Sequence, residues 1–126
     1  MSRLKLLQMA LITFGIVFCL VYPLAIVWPS GWAWHDGGPA SNDYFLMIVG
    51  FYFTLGVFLI RAASNPAAHA SLIWFTIWSS VVHGLIMAYE SFRSPMHMSH
   101  MWGDVPALLI AAAVLAMLMR RAPTAT

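Results

Sequence analysis

Imidazoles and carboxylates are the side chains here best able to hold a metal ion or move a proton, and they gather in two stretches. In the first, Thr76, Ser79, His83, Met87 and Glu90 fall in a narrow sector at 100° per residue, with Ser80 beside them. The second reads Pro95-Met-His-Met-Ser-His-Met-Trp-Gly-Asp-Val-Pro106. Helical from Met96, it places His97, His100, Met101 and Asp104 on one face. His35 and Asp36 add an imidazole and a carboxylate in the glycine- and proline-rich run from Pro29 to Asn42.

Three chemistries compete for these residues. The first is a metal site drawn from His83, Glu90, His97, His100, Asp104 and His35. Imidazole suits zinc and copper, and the thioethers of Met96, Met98 and Met101 favour Cu(I). No Cys-x-x-Cys or His-Glu-x-x-His spacing accompanies them. The second is a proton- or substrate-handling site of Glu90, His83 and Asp104, since buried carboxylate and imidazole pairs serve acid–base chemistry. The third is structural: Asp104 ahead of Val105-Pro106 caps a helix, as Asn42 or Asp43 caps another. Glu90 then pairs with Arg93, His83 bonds a Ser or Thr on a neighbouring helix, and the methionines supply adaptable packing. Bis-histidine haem ligation is disfavoured, because only His83 lies well inside an apolar stretch; two copies of the chain would be needed.

The elements that must carry these groups follow from composition. The chain is 62% hydrophobic and 8% charged, against roughly 45–50% and about 25% in soluble domains. Ten charged side chains do not solvate a globule of this size, and such hydrophobicity excludes disorder. A bilayer core of roughly 30 Å needs about 20 apolar residues, and four stretches approach that: 6–28, 44–61, 72–90 and 97–119. One domain, 1–126, is expected: an all-α integral membrane protein, an antiparallel four-helix bundle joined by short connections. The first span is read as a retained helix, since its apolar run is too long for a secretion signal. Pro23 is expected to kink it, and Cys19, the single cysteine, reads as a small apolar residue.

Charge placement gives orientation. Arg3, Lys5, Arg61, Arg120 and Arg121 fall on one side and Arg93 on the other, which puts both termini in the cytoplasm. All four acidic residues, Asp36, Asp43, Glu90 and Asp104, lie at the opposite end. Counting helix rise, Glu90 and Asp104 stand at roughly 27 Å and roughly 24 Å from the cytoplasmic boundary, with His83 at roughly 18 Å. Packing between spans should run through small residues: Gly50, Thr54 and Gly56; Ser80, Gly84 and Ala88; Ala107, Ala111, Ala112, Ala113 and Ala116.

Three segments carry a resemblance: Trp28-Pro-Ser-Gly-Trp-Ala-Trp-His35, Ser71-Leu-Ile-Trp-Phe-Thr-Ile-Trp-Ser-Ser-Val-Val-His-Gly84 and Gly103-Asp-Val-Pro-Ala-Leu108. The chain resembles, over nearly its whole length, an uncharacterised family of short bacterial four-helix membrane proteins classed as a domain of unknown function. The resemblance implies the architecture and a bacterial inner-membrane location, and no activity. The methionine-rich run is the stretch least like the family pattern.

Small size, short loops and small-residue seams point to an accessory or structural subunit, packed against a larger membrane complex or its own copies. The alternative is a metal- or small-ligand-binding protein using the His/Glu/Asp cluster in the outer half of the membrane. No nucleophile–base pair or cofactor fingerprint suggests an enzyme. The net charge of +2 comes without a basic cluster, which argues against nucleic acid as a partner and leaves the lipid bilayer.

Overall fold

The computed structural model describes residues 2–32 and 42–120, apart from the side chains of Met96 and His97, and every regular element among them is helical. In chain order these are α1 (Arg3–Cys19), α2 (Val21–Val27), α3 (Pro29–Trp32), α4 (Asp43–Ala62), α5 (Ala70–Arg93) and α6 (Asp104–Met119). Two 3₁₀ segments, Pro66–His69 and Pro95–Trp102, precede α5 and α6. Three helical stretches, Asp43–Ala62, Pro66–Arg93 and Met98–Met119, are long and apolar enough to cross a membrane; α1 with α2 makes a fourth if the bent pair is one span. Large apolar side chains stay exposed along them, Phe51 at 53%, Phe75 at 53% and Trp78 at 63%. In water that surface would be untenable; in a multi-pass membrane protein it faces lipid.

The first span breaks where its proline dictates. α1 and α2 meet at 58° around Leu20. Pro23 lacks the N–H that would bond the Cys19 carbonyl four residues back, and its ring crowds that carbonyl. α4 starts on a side-chain cap: Asn42 Oδ1 accepts from the Phe45 N–H at 2.9 Å, so of the two candidates Asn42 fills the role. Replacing Asn42 by alanine is expected to cost about 1 kcal/mol and replacement by glycine a few tenths, measured by thermal unfolding in detergent micelles.

The fourth span departs from expectation at its start. Residues 95–102 form a 3₁₀ helix rather than the first turns of an α-helix. The segment is closed by a short-range bond from the Gly103 N–H to the His100 carbonyl at 3.1 Å. Gly103, not Asp104, takes the cap position of α6, and no side chain caps it. Asp104 is the first helical residue and turns its carboxylate back to His100.

The helices pack as two pairs. α1 lies on α4 and α5 on α6, while α1 also touches α6 and joins the pairs. Leu7, Leu11, Leu59, Ile73 and Leu115 are fully buried between them. The α1–α4 crossing is backbone against backbone. A Cβ on Gly15 would stand 2.7 Å from the Gly56 carbonyl oxygen, and a Cβ on Gly56 would drive into the Gly15 carbonyl. Next to them the Cys19 thiol donates to the Phe53 carbonyl at 3.6 Å. In the other pair Gly84 sits against Leu108 and Leu109, and Ser80, Ala111 and Ala112 are buried. Gly50, grouped with Gly56 by spacing, meets nothing within 4 Å. α4 and α5, consecutive in sequence, keep apart along most of their length.

Candidate functional site

Tyr52 and His83 make a polar bridge across the gap between α4 and α5. Tyr52 is the tyrosine in the middle of α4 and is 8% exposed. It packs edge-on against Phe18 of α1, with ring centroids 5.1 Å apart at 65°. Its hydroxyl is hydrogen-bonded to Nδ1 of His83. Among apolar helices a phenol hydroxyl and an imidazole each require such a partner. On the same face of α5, the Thr76 hydroxyl donates to the Leu72 carbonyl at 2.9 Å and the Ser79 hydroxyl to the Thr76 carbonyl at 3.2 Å. Those two hydroxyls are satisfied by their own helix, so His83 is the member of the polar stripe that reaches across.

The second polar group is formed by His100 and Asp104. His100 Nδ1 lies 3.1 Å from Oδ1 and 3.2 Å from Oδ2 of Asp104, with His100 1% and Asp104 5% exposed. An N–H at that nitrogen donates to both carboxylate oxygens. The pair spans the junction between the 3₁₀ segment and α6, where Gly103 presses on the Gly31 backbone so closely that a Cβ would collide with the Gly31 carbonyl. This contact brings α3, and with it Trp32, against the start of α6.

Between the two polar groups lies a cavity of about 150 Å³. Tyr52, His83 and Asp104 line it together with eight apolar or aromatic residues, among them Phe18, Trp32, Met87 and Leu108. Hydrogen-bonding groups therefore face an otherwise greasy chamber from two sides, which is the usual composition of a small-molecule site.

The residues singled out from sequence separate into those at the chamber and those away from it. His83 and Asp104 line it, and His100 stands behind Asp104. Glu90 does not join them: its side chain is 48% exposed and meets Arg93 at 3.5 Å. Position 90 is close to the end of α5, where Arg93 one turn on offers a partner at the surface and no burial is imposed. Of the readings open for Glu90, the pairing with Arg93 is the one the structure describes. His35, with Asp36, lies outside the described residues, as does the side chain of His97. Among the described residues no three of His, Cys, Asp and Glu come together to hold a metal ion.

Tyr52 escaped the sequence reading. The signal was present: it is a tyrosine in the middle of the stretch 44–61, and a hydroxyl at that depth needs a partner from another helix. Trp32 also forms part of the cavity wall.

No curated protein and no solved structure matches the chain. One family model does, over residues 1–125, and it is described as a family of unknown function. With nearly every residue inside that match, the chain belongs to this family, DUF6632.

Proposed function

We propose that this chain is a multi-pass protein of the bacterial inner membrane that binds a small single-ring molecule carrying hydroxyl or carbonyl groups. Four antiparallel spans with both termini in the cytoplasm would set the cavity in the outer half of the bilayer. The five basic residues at one end against Arg93 at the other support that orientation. The observation that carries the reading is the cavity itself. About 150 Å³ is the size of an engineered cavity known to hold benzene, and here the walls include the rings of Phe18 and Trp32. A ring with hydroxyls at opposite ends meets Tyr52 and His83 with one and the Asp104 carboxylate with the other.

The test is equilibrium binding of hydroquinone to the purified protein in detergent, by calorimetry. Saturable binding is expected, weakened about 3–10-fold by Tyr52→Phe and by His83→Leu, the value of one or so hydrogen bonds. No binding at millimolar concentration, or equal binding by both variants, would sink the proposal.

The reading as an accessory or structural subunit keeps one observation of its own. Gly50 on α4 faces open space, and a glycine on an exposed membrane helix lets a partner helix approach closely. Under that reading the partner is a second membrane protein or another copy of this chain.

A further inference from the structure

α4 and α5 are joined by a short connection, yet a trough runs between them. Two adjoining hollows, of about 450 Å³ and about 470 Å³, share Met47 and Phe51. One of them also shares Ile48, Tyr52 and His83 with the cavity. Ile48, Tyr52 and His83 thus border both the ring-sized chamber and the trough, which meet at these residues. From there the trough passes Gly50 and Thr54 to Phe58 and Phe75. Met47 to Phe58 is eleven helical steps along α4, a rise of about 16 Å. Among the described residues no Asp, Glu, Lys or Arg lines either hollow. An extended hydrocarbon chain fits a channel of this shape and polarity, and a charged or hydrated group does not.

We infer that the ligand of the cavity is a tailed amphiphile, a hydroxylated or quinone ring bearing an alkyl or isoprenoid chain, and that the α4–α5 trough holds the tail while the ring lies behind Tyr52 and His83. This rests on the proposed function and narrows its ligand class. It also gives the ring a route in from the bilayer, past one hydrogen-bonded pair. The lining that trough and chamber share, Ile48, Tyr52 and His83, together with the absence of charge along the trough, favours a tail as the occupant over a partner helix. A helix is about 10–12 Å across with its side chains and would cover the trough without reaching the chamber.

Transfer of a tail from detergent to an apolar trough gains little by burial alone, so the test compares variants with one probe and lets partitioning cancel. The probes are hydroquinone and 2-decylhydroquinone; the variants are Gly50→Trp and, independently, Thr54→Phe. Both positions line the trough and neither lines the cavity. Each change should weaken 2-decylhydroquinone at least fivefold and change hydroquinone affinity less than twofold. Equal affinities of wild type and both variants for the decyl probe would overturn the inference while leaving the ring site standing. Loss of both probes in wild type would remove the ring site and the inference with it. Cysteine cross-linking at position 50 that gives a homodimer in the presence of saturating decyl probe would assign the trough to a second copy, again against the inference.

Discussion

Gly56→Val should unfold at a much lower temperature or denaturant concentration than the wild type, a loss of about 3 kcal/mol or more. Overpacking a helix contact usually costs about 1–3 kcal/mol, and here the obstacle is less yielding than a side chain. The added carbon meets the Gly15 carbonyl and, at 2.7 Å, the Cys19 sulfur. Relief requires α1 and α4 to separate along the crossing that holds this pair together. Gly56→Ala introduces the same Cβ and should lose stability in the same direction. The control is Gly50→Ala, six residues earlier on the same helix, where a Cβ meets nothing within 4 Å. There the change should be neutral or stabilising by up to about 1 kcal/mol, the ordinary preference for alanine over glycine in a helix. Equal behaviour of Gly50→Ala and Gly56→Ala in unfolding measured in mixed micelles would mean that the crossing is elsewhere.

Asp104→Ala is expected to damage both stability and binding. The carboxylate lies 3.1 Å and 3.2 Å from the nearly inaccessible His100 imidazole. Removing it takes a hydrogen-bond acceptor from a buried donor, at about 1–3 kcal/mol, and removes the favourable negative charge from the first turn of α6, at about 0.3–1 kcal/mol. Asp104→Asn keeps the shape and one acceptor oxygen and should cost less. A double-mutant cycle with His100→Leu separates the pair from its surroundings, because groups that interact directly fail to add by 0.5–3 kcal/mol or so. Additive losses from Asp104→Ala and His100→Leu would show that the two side chains do not act together. Hydroquinone affinity should fall in Asp104→Ala, and a variant that folds and binds as the wild type would take Asp104 out of the site.

Much of this architecture was readable because the chain leaves few choices. With ten charged residues among 126, the apolar stretches could only be long helices, and Pro23 could only break the one it lies in. His83 and Asp104 were legible for a similar reason, since an ionisable side chain among apolar helices turns inward. The remainder depended on geometry that spacing does not carry. Placing His97, His100, Met101 and Asp104 on one face assumed an α-helix from Met96, whereas residues 95–102 are 3₁₀, which turns in about three residues rather than about 3.6. Height along a helix, moreover, says nothing of which neighbour a side chain meets. Glu90 had the right depth and an exposed position beside Arg93. Tyr52 stayed hidden because its partner is 31 residues away, and an aromatic side chain in an aromatic-rich helix draws no notice until that partner is in place. Seams of small residues show the same limit: Gly56 and Gly50 are indistinguishable by type, and only the position of α1 tells them apart.

The pairing of α1 with α4 and of α5 with α6 bears on when the molecule becomes competent. Each pair comes from one half of the chain, α1 and α4 separated by residues 20–42 and α5 and α6 by residues 94–103, so each can form before the other half is made or docked. The cavity belongs to neither: Phe18 and Tyr52 come from the first pair, His83 and Asp104 from the second. Until the α1–α6 contact closes, there is no chamber and the Tyr52 hydroxyl has no imidazole to bond. Occupancy therefore favours the docked arrangement over the separate pairs by mass action, so a ligand held there acts also as the clasp that completes assembly.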